Sequence, residues 1–167
     1  MSKPGPTAAE RKTPVPQPEY IYVIYIEAPC EKVWDALIDP EMTKDYWGRH
    51  RNVSDWRTGS RWQHEDYDDP SRVAVAGTVI ESERPHRLVL SWARPENLDD
   101  PDKVSRVTFT IEEQFGSARL TVIHSELDDE MLRAISAGWP PVLSSLKTML
   151  ETGASMPMTR KHWKRGN

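Results

Sequence analysis

The pattern of apolar and polar positions changes sharply at residue 19. Residues 1–18 (MSKPGPTAAERKTPVPQP) hold five of the 14 prolines and show no apolar periodicity, which predicts a disordered N-terminal segment. The run Tyr20–Ile26 follows and consists of β-branched and aromatic residues, a composition that favours a strand with two apolar faces. We therefore predict that the folded domain begins at residue 19.

Two short helices are predicted after this strand. Ala28-Pro29 ends the strand, and Asp39-Pro40 separates the two helices because proline restricts the residue before it and suits a first helical turn. The first helix covers residues 31–38 and the second runs from Pro40 to Trp47. The apolar residues of the first recur at helical spacing: Val33, Trp34, Leu37 and Ile38.

A series of strands is predicted next, and the short turns between them indicate an antiparallel meander. The strand-like stretches are residues 51–55, 60–67, 72–83, 86–94, 103–115 and 118–127. The first of these is weak, so the sheet is predicted to contain about six to seven strands including Tyr20–Ile26.

One long helix closes the pattern. Asp128 and the acids after it favour a capped helix start, and Gly153 is typical of a helix end. Pro140-Pro141 interrupts the stretch, which predicts either a kink or a second helix beginning there. The apolar stripe recurs at spacings of three and four: Met131, Ile135, Trp139, Val142, Leu146 and Met149 or Leu150. Both alternatives place Trp139 inside.

The order of elements predicts an α+β fold. A curved antiparallel sheet must cover its apolar face, and the terminal helix is the element long enough to do so. We assign residues 19–153 to this domain and residues 154–167 to a basic tail, RKHWKR at its core, that we expect to be a solvated terminus. A sheet that grips a helix in this way can leave a cavity between the two.

Strand alternation indicates which side chains face that space. Large rings dominate the predicted inner positions, and a lining of large rings with a few polar groups suits an apolar or aromatic small molecule. Ordinary core packing is the alternative. The candidate ligand-binding residues are Trp47, Trp62, His64, Leu90, Trp92, Phe109, His124, Trp139, Val142 and Leu146.

Two of these candidates, His64 and His124, could also support acid–base chemistry. No third ligand stands at a metal-binding spacing, and no GxSxG, GxxxxGK[ST] or GxGxxG motif occurs. We therefore predict neither a metal nor a cofactor and favour a non-enzymatic binding function. A cyclase or hydrolase that uses one cavity histidine remains the enzymatic alternative.

Composition narrows the class of partner. The 22 basic and 26 acidic residues are unevenly placed, because both ends are basic and the body between them is acidic, which argues against a nucleic-acid partner. No run approaches the ~18 apolar residues of a membrane span. The single cysteine, Cys30, excludes a disulfide framework. From the lack of a membrane span and of a disulfide framework we predict a soluble cytoplasmic protein. The acidic loop residues Asp66, Asp68 and Asp69 are interpreted as solvated charges.

Several segments resemble one family. These are residues 22–29 (YVIYIEAP), 32–37 (KVWDAL), 39–41 (DPE), 105–109 (SRVTF), 120–124 (LTVIH) and 138–153 (GWPPVLSSLKTMLETG). The first three resemble the opening of START-like (SRPBCC) domains. The last is similar to the terminal helix of the branch labelled homologous to the activator of heat-shock protein 90 ATPase.

This resemblance implies the helix-grip fold over roughly residues 20–153. It also implies a range of functions, because SRPBCC domains include lipid and hormone carriers, polyketide cyclases, antibiotic-sequestering proteins and oxygenase subunits. A co-chaperone-like or regulatory module that binds a protein partner is accordingly the alternative to small-molecule binding.

Overall fold

The described residues form a sheet of seven antiparallel strands in the order β1-β7-β6-β5-β4-β3-β2. The computed structural model describes residues 17–163, so the predicted disordered segment lies outside the described residues except for its last two positions. The strands are β1 (Tyr20–Ile26), β2 (His50–Val53), β3 (Arg61–Asp66), β4 (Val73–Glu83), β5 (Arg87–Trp92), β6 (Ser105–Gln114) and β7 (Ser117–Ser125).

The first strand pairs with the last. Register runs from Tyr20 opposite His124 to Ile26 opposite Ala118, so β1 forms one edge of the curled sheet and β2 forms the other. In the described part of the chain, three α-helices accompany the sheet: α1 (Cys30–Ile38), α2 (Pro40–Tyr46) and α3 (Asp129–Thr152). This is the predicted α+β fold, with two short helices after β1 and one long helix after β7.

Asp39 sets the boundary between α1 and α2. Its backbone N–H donates to Asp35 to close α1, and its side chain accepts a hydrogen bond from the N–H of Glu41 to open α2. Pro40 occupies the first turn of α2, where the missing donor costs little. The predicted Asp-Pro junction is confirmed.

A single helix, α3, spans Pro140 and Pro141 without interruption. Of the two alternatives, the single long helix is confirmed, and a second helix beginning at Pro140 is wrong. The apolar stripe on both sides of the prolines is buried against the sheet, and packing along this face outweighs the backbone hydrogen bonds that the prolines remove. Trp139 is 3% exposed, which confirms its predicted inward position.

The ends of α3 also follow the sequence. The Asp128 side chain accepts from the N–H of Met131 at 2.7 Å, and Gly153 takes a left-handed conformation with φ 88°. Within residues 17–163, no helix has both the length and the apolar character needed to span a membrane.

Candidate functional site

Five aromatic side chains fill the space between the sheet and α3. Ring centroids lie 5.3 Å apart for Trp47 and Trp139, 5.6 Å for Trp92 and Trp139, 5.4 Å for Trp62 and Trp92, and 5.8 Å for Phe109 and Trp139. Tilted and edge-on geometries at these distances are favourable aromatic contacts. We refer to Trp47, Trp62, Trp92, Phe109 and Trp139 as the aromatic cluster.

All ten candidate lining residues are buried, each at 7% exposure or less. The structure therefore places all ten side chains in the interior of the domain. Because the rings contact one another, the chain's own side chains occupy the predicted cavity. Two open depressions lie elsewhere on the surface, one beside Lys32 and Met42 and the other beside Gln17 and Glu126.

His124 lies in a hydrogen-bond chain that fixes its protonation. Nε1–H of Trp139 donates to Nδ1 of His124 at 3.2 Å, so the proton of the neutral ring is on Nε2. Nε2 lies 2.8 Å from Oγ of Ser105, and this hydroxyl donates to the carbonyl oxygen of Trp92 at 3.0 Å. Burial lowers the pKa of His124 to about 3.

These hydrogen bonds determine whether His124 can activate Ser105. A histidine that activates a serine must offer a lone pair to the hydroxyl. Here the lone pair on Nδ1 already accepts from Trp139, and Nε2 donates to Ser105. In this arrangement the pair ties β6 and β7 to α3 and does not activate the serine.

His64 is oriented by Asn52, which sequence reasoning did not single out. Nδ2 of Asn52 donates to the carbonyl oxygen of Leu37 at 3.2 Å, which leaves Oδ1 to accept from Nδ1 of His64 at 2.7 Å. The His64 ring lies 4.9 Å from the Trp47 ring and stacks on His50 at 4.8 Å. His64 thus connects the aromatic cluster to β2.

Trp47 differs from the rest of the aromatic cluster because it lies outside the helices and strands. It directly follows α2, and the next two residues, Gly48 and Arg49, both have a φ near 60°. A Cβ on Gly48 would lie 2.9 Å from Cδ2 of Trp163, so the Trp163 ring lies directly on this loop. Trp47 is also the most exposed ring of the cluster, at 7%.

The segment that carries Trp163, residues 154–163, is called the C-terminal strap here. The Thr159 carbonyl accepts from the N–H of Gly48 at 2.8 Å. Its hydroxyl lies 3.0 Å from the carbonyl oxygen of Asp45 and 2.7 Å from Oγ of Ser145. Thr159 is 0% exposed. The expectation of a solvated tail is therefore wrong for the strap, because these hydrogen bonds fasten it to α2 and α3.

An ion cluster holds the far end of the strap. Nε2 of His162 lies 3.0 Å from Asp66 and 3.5 Å from Asp68, and Arg49 binds both oxygens of Asp68 at 2.8 and 2.9 Å. Asp66 is 8% exposed. Burial opposes ionisation of Asp66, but hydrogen bonds from His162 and from the N–H groups of Asp69 and Asp68 lower its pKa.

The interpretation of Asp66 as a solvated loop charge is therefore wrong. Donor atoms of Asp66, Asp68 and His162 lie within 4.8 Å of one another, close enough to hold a metal ion. Arg49 and two backbone N–H groups already use three of the four carboxylate oxygens. The cluster thus acts in this structure as a hydrogen-bonded fastening for the strap.

The fold, with its sheet wrapped around α3 and a buried ring cluster between them, is the START-like helix-grip fold. The model of the family described as "Activator of Hsp90 ATPase homolog 1-like protein" matches residues 27–151. The chain belongs to that family, as the resemblance in its sequence implied.

Solved structures support the same fold. CalU16 from Micromonospora echinospora is 20% identical with a TM-score of 0.70, covering 89% of this chain and 75% of that one. ChR145 from Cytophaga hutchinsonii is 26% identical with a TM-score of 0.66, covering 83% and 97%. An HSP90 activator from Plasmodium falciparum is 17% identical with a TM-score of 0.65, covering 80% and 96%. Among curated proteins no match is found.

Proposed function

We propose that this protein binds an apolar or aromatic small molecule between the sheet and α3, in the space that the Trp47 ring occupies in the closed structure. The position of Trp47 carries the proposal. Its ring contacts Trp92, Trp139 and His64, yet its backbone belongs to a loop whose next two residues adopt left-handed conformations.

Outward rotation of Trp47 would open a site with a suitable lining. The remaining walls would be Trp62, Trp92, Phe109 and Trp139, and an incoming aromatic ring would restore the contacts that Trp47 gives up. His64 would supply the polar group that orients the ligand, since Asn52 fixes its ring. Leu90, Val142 and Leu146 are buried deeper in the same core, and His124 would close the floor.

The C-terminal strap would control entry. Trp163 lies against Gly48 and so limits movement of the loop that carries Trp47. A ligand can bind only after this contact is released. Its apparent affinity is therefore its intrinsic affinity multiplied by the fraction of protein in the open form. Loosening the strap is therefore expected to increase affinity without changing the lining of the site.

The test uses 1-naphthol as the probe and thermal unfolding as the readout, because a ligand of the folded state raises Tm. We expect a concentration-dependent rise for the unmodified chain and a larger rise for Trp163→Ala. Met158→Ala is the matched control, because this strap side chain is 52% exposed and is expected to leave binding unchanged. If neither the unmodified chain nor Trp163→Ala responds to 1-naphthol, the proposal is wrong.

A second candidate function rests on the family match, whose description names an activator of Hsp90 ATPase. In this alternative the domain is a co-chaperone-like module that binds a protein partner. Addition of the full chain to Hsp90 from its own host is then expected to increase ATP hydrolysis. An unchanged rate, with no complex detected by sedimentation, would rule this alternative out.

A further inference from the structure

The free edge of β1 has backbone groups that no described residue pairs. The two-residue turn Phe115-Gly116 places Gln114 opposite Ser117 in the β6–β7 hairpin. The backbone groups of Ser117 and of every second residue after it therefore bond to β6. The backbone groups of Ala118 and of every second residue after it bond to β1. Through the register of β1 with β7, the even-numbered residues of β1 bond to β7. The odd-numbered residues direct their N–H and C=O groups to the free edge.

Two side chains of α3 cover one end of this edge. Nζ of Lys147 donates to the carbonyl oxygen of Tyr25 at 2.7 Å, and the N–H of Glu27 donates to the Glu151 carboxylate at 2.8 Å. These contacts confirm which residues face the edge. Among the described residues, the N–H and C=O groups of Ile21 and Val23 have no such cover. Open edges with unpaired backbone groups are templates for another strand.

The outer face of the same strand is apolar. Ile21 is 59% exposed, Val23 is 43% exposed and Tyr25 is 45% exposed. These side chains alternate with the more buried side chains of β1 and form one continuous row beside the open edge. Natural edge strands commonly carry charged residues or proline to prevent pairing, and Ile21 and Val23 provide neither.

We propose that β1 pairs antiparallel with β1 of a second copy of this chain, centred on Tyr22, so that the two sheets become one. In this register Ile21 lies opposite Val23 of the other copy, and the four unpaired backbone groups of each copy are satisfied. The arrangement has two-fold symmetry, so the same surface serves both copies. The pairing buries the apolar side chains of Ile21 and Val23 against those of the other copy and adds main-chain hydrogen bonds across the edge.

Charge supports this register over the neighbouring one. Centring on Tyr22 places Glu19 opposite Tyr25 of the other copy, and Tyr25 lies beside Arg119 on β7. Glu19 and Arg119 of the two copies are then about 10 Å apart between Cα atoms, within reach of each other's side chains. Nε of Arg119 is buried without a hydrogen-bond partner among the described residues. Centring on Val23 would instead set Glu19 against Glu27, which is already engaged with α3.

The experiment measures the molar mass of the full chain by sedimentation equilibrium over a range of concentrations. The unmodified chain is expected to form a dimer. Val23→Pro removes an N–H that faces the edge and leaves the bonds to β7 intact, so this variant is expected to be a monomer with an unchanged circular dichroism spectrum. Val23→Thr is the matched control because it keeps the N–H and the β-branched shape, and it is expected to remain a dimer.

A charge exchange tests the register. Glu19→Arg or Arg119→Glu alone is expected to raise the dimer Kd by roughly fivefold, since two symmetric ion pairs are lost together, and the double variant is expected to restore it. A chain that stays monomeric up to its highest soluble concentration would overturn the proposal. A dimer that survives Val23→Pro unchanged would overturn it as well, because another surface would then hold the copies together.

Discussion

Trp139 on α3 donates its indole N–H to His124 on β7, and this bond of 3.2 Å joins the long helix to the sheet. It also determines the protonation of His124, because a protonated Nδ1 could not accept it. The neutral ring then donates from Nε2 to Ser105. A buried polar chain in which each member has its partner specifies one arrangement of helix and sheet.

Acid is therefore expected to destabilise the fold through His124. Its pKa is about 3 in the folded protein against an ordinary value of 6.5, so the unfolded chain binds more protons between these values. The free energy of unfolding is fully retained above pH 6.5 and falls as the pH is lowered from there towards 3. The expected slope is about 1 kcal/mol per pH unit, measured by urea unfolding between pH 4 and 6.5.

His124→Gln provides the comparison for this pH dependence. The amide can accept from Trp139 but does not titrate, so the variant is expected to be less stable at pH 7 and to have a shallower slope. Other histidines contribute equally to both proteins, and the difference between them isolates His124. Equal slopes would show that His124 takes up its proton without unfolding the protein.

Trp139 is expected to behave as a core residue. It is 3% exposed and contacts Trp47, Trp92 and Phe109, so Trp139→Ala should lower the free energy of unfolding by roughly 3–5 kcal/mol. Trp139→Phe keeps a ring but removes the donor to His124, and a smaller loss is expected. A loss under about 1 kcal/mol for Trp139→Ala, measured by urea unfolding, would contradict the packed arrangement.

Substitution of glycine by alanine is expected to have opposite effects on stability at two positions. A Cβ on Gly77 in β4 would lie 2.0 Å from the carbonyl oxygen of Ser91, while a Cβ on Gly138 in α3 would meet nothing within 4 Å. Gly77→Ala is expected to lower the free energy of unfolding by about 1–3 kcal/mol through overpacking. Gly138→Ala is expected to raise the free energy of unfolding by about 0.4–1 kcal/mol, since alanine restricts the unfolded chain and favours a helix. Thermal unfolding of the two variants compares them directly.

The hydroxyl of Thr159 is expected to hold the C-terminal strap in place. Thr159→Val keeps the side-chain shape but removes the contacts to Asp45 and Ser145, at a cost of about 1–3 kcal/mol for the buried groups left unpaired. The N–H of Gly48, which bonds to the Thr159 carbonyl, should then exchange with deuterium faster than in the unmodified chain. Met158→Ala serves as the control, and equal exchange in all three proteins would show that the strap is held by other contacts.

Periodicity explains why most of the fold could be predicted. The bounds of β1 agree with the sequence because an uninterrupted run of β-branched and aromatic residues ends at Ala28-Pro29. The Asp39-Pro40 junction was predictable because it is a local signal that one dipeptide carries. The sequence alone left open whether α3 continues across Pro140, since that depends on burial of the stripe against a sheet made by distant residues.

The site was predicted less completely than the fold. Period-two alternation was sufficient to place His64 and His124 inside. Sequence reasoning could not decide whether Trp47 fills the interior or lines an open cavity, because that depends on the path of the loop after α2. The attachment of the C-terminal strap to α2 and α3 could not be predicted for a similar reason. Buried Thr159 has no apolar periodicity, and its partner Asp45 lies more than a hundred residues earlier in the chain.

The pairing of the first strand with the last has a consequence for synthesis on the ribosome. Tyr20 finds its partner only when His124 has been made, which at about 5–20 residues per second takes roughly 5–20 s. During this interval β1, apolar on both faces, has no sheet to join and can associate with other nascent chains. More holdase chaperone in the expression host should therefore increase the yield of folded protein more than changes to the surface of α3.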